Sequence, residues 1–169
     1  MQIIVSDTSC IIDLKLGALL GACFRLPYQF VMPTELFESE LLSLNAEEKR
    51  YLISLGLEIA DLDSDQMTLV YEHRQSNRRL TVRDCYALTL AQTTEDAILL
   101  TGDANLRTCS ERLDIETHGV FWALDRLLEY DCCTAKEGMY ALTTWKESSG
   151  VFLPEDELHA RILTLTTCG

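Results

Sequence analysis

The sequence has few basic residues and no long apolar run. Lys and Arg number 14 against 27 Asp and Glu, which gives a net charge of −13. Because phosphate binding depends on Lys and Arg, this balance argues against a protein that grips nucleic acid with its whole surface. A nuclease function is still compatible with this charge, because bound metal ions invert the charge of a site lined by carboxylates. No run reaches the roughly 18 apolar residues of a transmembrane helix, so we expect no membrane span.

Cysteine pairs with metal-ligand spacing are also missing. The chain has seven cysteines, an odd number, and no two of them have C-x-x-C spacing. The N-terminus is typical of a strand and lacks the basic start and cleavage site of a secretion signal. We therefore expect a cytoplasmic protein whose cysteines stay reduced and serve as small apolar residues, with neither zinc nor disulfide sites. They are Cys10, Cys23, Cys85, Cys109, Cys132, Cys133 and Cys168.

The three histidines do not pair. His73, His118 and His159 lie far apart in sequence and have neither metal-pair nor catalytic-dyad spacing. We interpret each as a surface or turn residue.

Strand and helix patterns alternate over the first 120 residues. This alternation predicts βα units and a parallel sheet, that is, an α/β fold. After Gly119 the pattern is helical. We predict one domain over residues 1–169, with an α/β core at 1–120 and a helical C-terminal extension at 121–169 packed on it. Strands are predicted at 2–6, 28–32, 57–62, 97–100 and 114–117, and helices at 10–20, 35–50 (with a break near 44–45), 64–74, 81–91, 105–113, 120–130, 135–146 and 155–164.

Two of these strands are each followed by an aspartate. The run Ile3–Ser6 leads into Asp7, and the run 97–102 leads into Asp103. Ligands of open parallel sheets bind beyond the carboxyl ends of the strands. The two acids meet if their strands are neighbours, so we predict a ligand site there.

Two further acids, Glu38 and Asp84, lie near the starts of predicted helices. Each acid also has a purely structural interpretation: Asp84 completes a capping box with Thr81, and Asp103 suits an ordinary turn. Four acids at one end of a sheet repel one another, and such a cluster needs a cation. Oxygen ligands without His or Cys suit Mg²⁺ or Mn²⁺. The residues therefore predict a site for metal-dependent phosphoryl transfer.

Two hydroxyl residues flank the strand-ending acids. Ser9 follows Asp7 by two positions, and Thr101 precedes Asp103 by two. We expect them either to orient metal ligands and water from outside the coordination sphere or to cap the backbone.

Four sequence elements occur in the order and approximate spacing of PIN-domain ribonucleases: VSDTS, PTELFESEL, RLTVRDCYALTLA and AILLTGDANLR. The chain resembles that family over roughly residues 1–125. The resemblance implies a three-layer α/β/α PIN-like fold with a short central parallel sheet. It also implies one or two divalent metal ions and cleavage of single-stranded RNA, with 5′-phosphate and 3′-hydroxyl products. The matching positions are Asp7, Glu38, Asp84 and Asp103.

The tail, with THGVFWALDRLL, looks like a bacterial subgroup of PIN proteins. Members of that subgroup are often encoded beside a small antitoxin. The resemblance therefore implies the toxin of a toxin–antitoxin pair, an antitoxin partner and a homodimer.

The second acid has an alternative. Glu35, Glu38 and Glu40 lie on one predicted helix, where Glu35 and Glu38 share a face and Glu40 points elsewhere. Alignment through Pro33 favours Glu38, with Glu35 as the alternative.

Positive charge is concentrated next to Asp84. No acid lies within the stretch 73–83, which runs directly into that aspartate. A basic loop beside a metal site steers a phosphate backbone, although a solvated loop has the same composition. The four arginines are Arg74, Arg78, Arg79 and Arg83, and Arg107 and Arg112 are weaker candidates.

Two other functions fit parts of the pattern. A haloacid-dehalogenase-like phosphatase needs a second Asp two residues after the first, where Ser9 stands. A non-catalytic PIN-fold module that binds a protein partner is the other, and the full acidic set argues against it.

Overall fold

The protein folds around a five-stranded sheet in which every strand is parallel to its neighbours. The structure is a computed structural model that describes residues 2–39, 44–151 and 153–167. The strands are β1 (Ile3–Ser6), β2 (Gln29–Pro33), β3 (Glu58–Ala60), β4 (Ala97–Leu100) and β5 (Glu116–His118). Their order in the sheet is β3-β2-β1-β4-β5, which puts β1 and β4 side by side at the centre.

Helices cover both faces of this sheet. Helix α6 packs on β1, β2 and β4 with α5 beside it, whereas α1, α8 and α9 pack against one another on the other face. This is the predicted three-layer α/β/α architecture. The helices of the described residues are α1 (Thr8–Leu16), α2 (Leu20–Cys23), α3 (Thr34–Ser39), α4 (Ala46–Ser54), α5 (Ser64–Ser76), α6 (Val82–Thr93), α7 (Ala104–Glu111), α8 (Val120–Glu129), α9 (Ala135–Glu147) and α10 (Glu155–Thr167).

Burial follows the position of each strand in the sheet. All four residues of β4 are buried, as are Ile4, Val5 and Ser6 of β1, because both faces of a central parallel strand are covered by helices. The edge strands β3 and β5 have only three residues each and are partly exposed. The strand predicted at 57–62 is present as β3, at one edge of the sheet.

Capping boxes begin several helices, and the one at α6 is predicted from the sequence. Thr81 and Asp84 form a reciprocal capping box at α6, and Thr134 and Glu137 form another at α9. The predicted break in the helix after 35 is also present, since Asn45 caps a separate helix α4.

The first helix is shorter than predicted. It ends at Leu16, because Ala18 adopts a left-handed backbone conformation with φ 56° and the chain starts again at α2. Gly17 sits under Trp145, where an added Cβ would lie 3.0 Å from the indole ring. Pro33 is a further boundary difference: it ends β2, and α3 begins at Thr34.

The C-terminal helices pack on the α/β part. Helix α9 contacts α1, and the Trp145 indole donates a hydrogen bond to the Asp13 carbonyl oxygen at 2.7 Å. Helix α10 packs on α9. The Arg161 guanidinium stacks on Phe121 and pairs with Asp125, which ties α10 to α8. Within the described ranges, no helix combines the length and the apolar character that a membrane span needs.

Candidate metal centre

The two strand-ending aspartates follow neighbouring strands. Ser6 of β1 is in register with Leu100 of β4, and the Asp7 amide donates a hydrogen bond to the Leu100 carbonyl oxygen at 2.9 Å. From β1 the chain crosses to β2 on one side, whereas β4 lies on the other. Asp7 therefore stands at the topological switch point of the sheet, where ligands of open α/β folds bind.

Asp7 is buried, with 7% of its surface exposed. It caps α1 by accepting a hydrogen bond from the Thr8 amide at Oδ1, at 2.7 Å. Its Oδ2 accepts two more, from Ser9 Oγ and Thr101 Oγ1, each at 2.9 Å. All three donors are neutral, so these contacts orient the carboxylate without cancelling its charge.

The environment of Asp7 disfavours its ionised form. Burial raises the pKa of Asp7 to about 6, which outweighs the opposing effect of the Ser9 and Thr101 hydroxyls. The charge of Asp84 raises this pKa further, because the Asp84 carboxylate on α6 is near enough to interact electrostatically with Asp7. A carboxylate held in this way is stabilised by a bound cation.

Asp103 is joined to Asp7 through Thr101. Its amide donates to Thr101 Oγ1 at 3.0 Å, while its Oδ1 caps α7 by accepting from the Leu106 amide at 2.7 Å. Among the described residues its Oδ2 accepts no hydrogen bond. The side chain thus combines a capping role with an oxygen that is available to a ligand.

Asp84 occupies the third residue of α6. Its Oδ2 accepts the Thr81 amide at 2.6 Å, as the capping-box interpretation predicts. Capping does not exclude metal binding by the same carboxylate, so both interpretations of Asp84 remain in place.

The two candidate glutamates have different surroundings. Glu38 is exposed, and its carbonyl oxygen accepts from Lys49 Nζ at 3.3 Å. Glu35 is half-buried with its Oε2 inside the protein. The pKa of Tyr86 on α6, the helix that carries Asp84, is raised by burial and further by the charge of Glu35. Glu40 lies outside the described residues. The choice of Glu38 stays a prediction, with Glu35 as its alternative.

The donor set suits a hard divalent cation. Asp7, Asp84 and Asp103 offer only carboxylate oxygens, and Mg²⁺ is usually held by one or two carboxylates together with water and substrate phosphate. In the part of the chain that the structure describes, no three His, Cys, Asp or Glu side chains are close enough to bind one ion directly. A water-rich Mg²⁺ or Mn²⁺ sphere does not require three direct contacts.

The four predicted RNA-binding arginines are distributed over the end of α5, the loop that follows it and the start of α6: Arg74 lies in α5, Arg78 and Arg79 in the loop, and Arg83 in the first turn of α6. Arg78, Arg79 and Arg83 are exposed, and Arg74 is half-buried with its Nη1 3.4 Å from the Arg78 carbonyl oxygen. Because α6 also carries Asp84, this basic loop adjoins the acidic site. The Arg107 guanidinium donates to the carbonyl oxygens of Thr101 and Thr117, and its contact with RNA stays a prediction.

Sequence reasoning missed Asp13. It lies on α1 one turn after Ser9, half-buried, and burial raises its pKa to about 6, with a further contribution from the charge of Asp7. Its only sequence signal is that it is a lone acid within an apolar helical run. It also missed the pairing of His118 with Trp122, whose rings are stacked 4.5 Å apart and parallel to within 2°.

Comparisons with known proteins agree with this architecture. Comparison with curated proteins found no match. Among solved structures, the chain is similar to a PilT N-terminus domain protein from the hyperthermophilic archaeon Sulfolobus solfataricus P2, with a TM-score of 0.51 and 16% identity. That match covers 76% of this chain and 95% of the archaeal one, and it shows the shared fold. A family model described as DUF3368: PIN domain matches residues 3–166, so the chain belongs to the PIN-domain family.

Proposed function

We propose that this chain is an endoribonuclease that cleaves single-stranded RNA with Mg²⁺ or Mn²⁺. Membership of the PIN-domain family supports a nuclease, and the arrangement around Asp7 supports a metal-dependent one. The observation that carries the proposal is a buried carboxylate at the switch point of the sheet. It is held by neutral donors and shares Thr101 with the next strand-ending acid, Asp103.

The acids have distinct proposed roles. Asp7 is the central ligand, and Asp103, Asp84 and Glu38 complete a site for one or two ions. Ser9 and Thr101 donate hydrogen bonds to Asp7 Oδ2 and so fix the orientation of the Asp7 carboxylate without the help of solvent. When bound, a divalent cation supplies Lewis-acid stabilisation of the phosphoryl oxygens and activates water for in-line attack.

The basic loop is proposed to guide the substrate. Arg78 and Arg79 project from an otherwise acidic protein next to the helix of Asp84. Exposed arginines attract the RNA backbone at long range and hold its phosphates near the metal site.

The proposed cellular role is that of a toxin controlled by an antitoxin. The resemblance of the tail to toxin-type PIN proteins supports it, and a homodimer is expected on the same ground. A catalytically inactive module that binds a protein partner is the competing proposal, and RNA cleavage separates the two.

The test is cleavage of single-stranded RNA by the purified chain with Mg²⁺ or Mn²⁺, beside Asp7→Asn and Asp84→Asn. Asp65→Asn is the matched control, because this exposed aspartate on α5 undergoes the same change of charge. We expect cleavage by the wild type and the control and its loss in both site variants. Equal cleavage by all four proteins, or none by any of them, contradicts the proposal.

A further inference from the structure

A cleft of about 880 Å³ opens beside the acidic site. Ser9 and Thr101, the two hydroxyl residues bonded to Asp7, are part of its lining. From there it extends between α1 and α8 towards the start of α10. Its volume lies in the range of pockets that bind small molecules, of the order of 300–1,000 Å³.

Two glycines keep the cleft open near the site. A Cβ on Gly102 would lie 3.3 Å from Ser9 Oγ and 3.9 Å from Asp13 Oδ2. One on Gly119 would lie 3.1 Å from the Arg107 guanidinium. A side chain at either position would narrow the passage from the acids into the cleft.

Asp13 lines this cleft with an unsatisfied carboxylate. It lies on the same face of α1 as Ser9, one turn further from Asp7. Within the described ranges its carboxylate accepts no hydrogen bond and forms no ion pair, although the side chain is half-buried. A half-buried carboxylate favours a ligand that offers N–H donors.

An aromatic platform forms another wall. The His118 ring stacks on Trp122, and both line the cleft. Trp122 is in turn supported by Tyr28, with ring centroids 5.6 Å apart. Unpaired RNA bases stack on such surfaces and are recognised at their Watson–Crick edges.

The charges of the cleft favour a base over a phosphate. Arg161 at the far end is already paired with Asp125 and Glu157. Of the remaining charged side chains, the positive Arg107 is balanced by the negative Asp13. With no excess positive charge, the cleft suits the neutral part of a nucleotide.

We propose that this cleft binds one guanine base of the RNA next to the scissile phosphate, with His118 stacked on the base and Asp13 bound to its Watson–Crick edge. Guanine is the one standard base that presents two adjacent N–H donors there, at N1 and N2, and these match the two oxygens of a carboxylate. The proposal rests on the nuclease function proposed above, and it adds a sequence preference to that function.

The experiment measures binding without cleavage. Short uridine RNAs that carry a single guanosine, inosine or adenosine are labelled at one end and titrated with the full chain in EDTA, with fluorescence anisotropy as the readout. We expect the guanosine RNA to bind about tenfold tighter than the adenosine RNA. Inosine lacks the N2 amino group, so its RNA falls between the two.

Variants separate the two contacts. Asp13→Asn removes the guanine preference, whereas Asp65→Asn, with the same change of charge outside the cleft, keeps it. His118→Ala weakens the binding of the guanosine and adenosine RNAs alike, by about fivefold or more. His118→Phe restores binding because it keeps a stacking surface. Thermal melting of each variant verifies that it is folded.

The outcomes distinguish this proposal from the nuclease proposal. Equal binding of guanosine and adenosine RNAs by the wild type, a preference that survives in Asp13→Asn, or no measurable binding of any RNA overturns the guanine site. A guanine preference in EDTA without any cleavage in Mn²⁺ supports the base site and contradicts the nuclease. If cleavage depends on Asp7 but binding shows no preference for guanine, the nuclease is supported and the base site is contradicted.

Discussion

Thr101 Oγ1 donates a hydrogen bond to Asp7 Oδ2 at 2.9 Å and accepts one from the Asp103 amide at 3.0 Å. This single buried hydroxyl therefore links two acids that are nearly a hundred positions apart in sequence. Both bonds form at the carboxyl ends of neighbouring central strands, which makes Thr101 a structural part of the acidic site.

Replacing Thr101 with Val should destabilise the protein by about 1–3 kcal/mol, because two buried hydrogen-bonding groups lose their partner. Urea unfolding measures the change. Thr108→Val is the matched control: Thr108 is exposed and bonds only the carbonyl oxygen of Ala104 in its own helix. Equal stability of the two variants contradicts the role assigned to Thr101.

The raised pKa of Asp7 predicts an unusual dependence of stability on pH in EDTA. Between pH 4 and 6 the folded state keeps a proton on Asp7 that the unfolded state has lost, so the free energy of unfolding falls as pH rises through this window. A pKa of about 6 against the ordinary 3.8 corresponds to about 3 kcal/mol, nearly all of it lost by pH 7.

Asp7→Asn removes this dependence. We expect the stability of the variant relative to wild type to rise by about 2.4 kcal/mol between pH 4 and 7, as measured by denaturant unfolding at each pH. Groups distant from Asp7 contribute equally to both proteins, so the difference reports Asp7 together with its electrostatic coupling to Asp13. Parallel pH profiles for the two proteins are inconsistent with the environment described for this carboxylate.

Metal binding identifies the second acid. Mn²⁺ should raise the melting temperature of the wild type by mass action, with about 2.7 kcal/mol of stabilisation at a hundredfold excess over the dissociation constant. The proposed site predicts a smaller increase for Glu38→Gln than for Glu35→Gln, since Glu38 is the proposed ligand.

The reverse result assigns the ligand to Glu35, whose carboxylate is directed into the protein near α6. Asp65→Asn should respond like the wild type. An unchanged melting temperature of the wild type in Mn²⁺ and in Mg²⁺ contradicts the metal site as a whole.

The basic loop should act by binding phosphates. Replacing Arg78 and Arg79 with Ala should weaken RNA binding at low salt and flatten the dependence of log affinity on log salt by about 0.7 for each phosphate that is no longer neutralised. Arg50→Ala, an exposed arginine on α4, is the net-charge control for the single variants Arg78→Ala and Arg79→Ala, each of which loses the same one charge. An equal effect of the control assigns the change to overall charge rather than to the loop.

The sheet and its two strand-ending acids could be predicted because their signals are local. The apolar runs that lead into Asp7 and Asp103 are typical of buried parallel strands, and Thr81 with Asp84 has the pattern of a capping box. These features depend on residues within one turn or one strand, and the structure has them at the expected positions.

Features that depend on distant packing could not be predicted. The helix α1 ends at Gly17, which packs against Trp145, more than a hundred positions away in sequence. Asp13 faces a cleft whose other walls come from α8 and the segment before α10, so nothing near it in sequence signals its position. Glu35 and Glu38 lie on one short helix, and spacing alone favours neither strongly.

The proposed role of Asp7 as the central metal ligand of a ribonuclease is tested most directly by comparing the rates of single-stranded RNA cleavage by wild type and Asp7→Asn in saturating Mn²⁺. Loss of an outer-sphere partner of a metal costs about 10- to 100-fold, so loss of the central ligand should cost more than about a hundredfold. We expect a decrease of at least that size for Asp7→Asn, an unchanged rate for Asp65→Asn, and products that carry a 5′-phosphate. A wild type that does not cleave, or an Asp7→Asn variant that cleaves at the wild-type rate, contradicts the proposed role of Asp7.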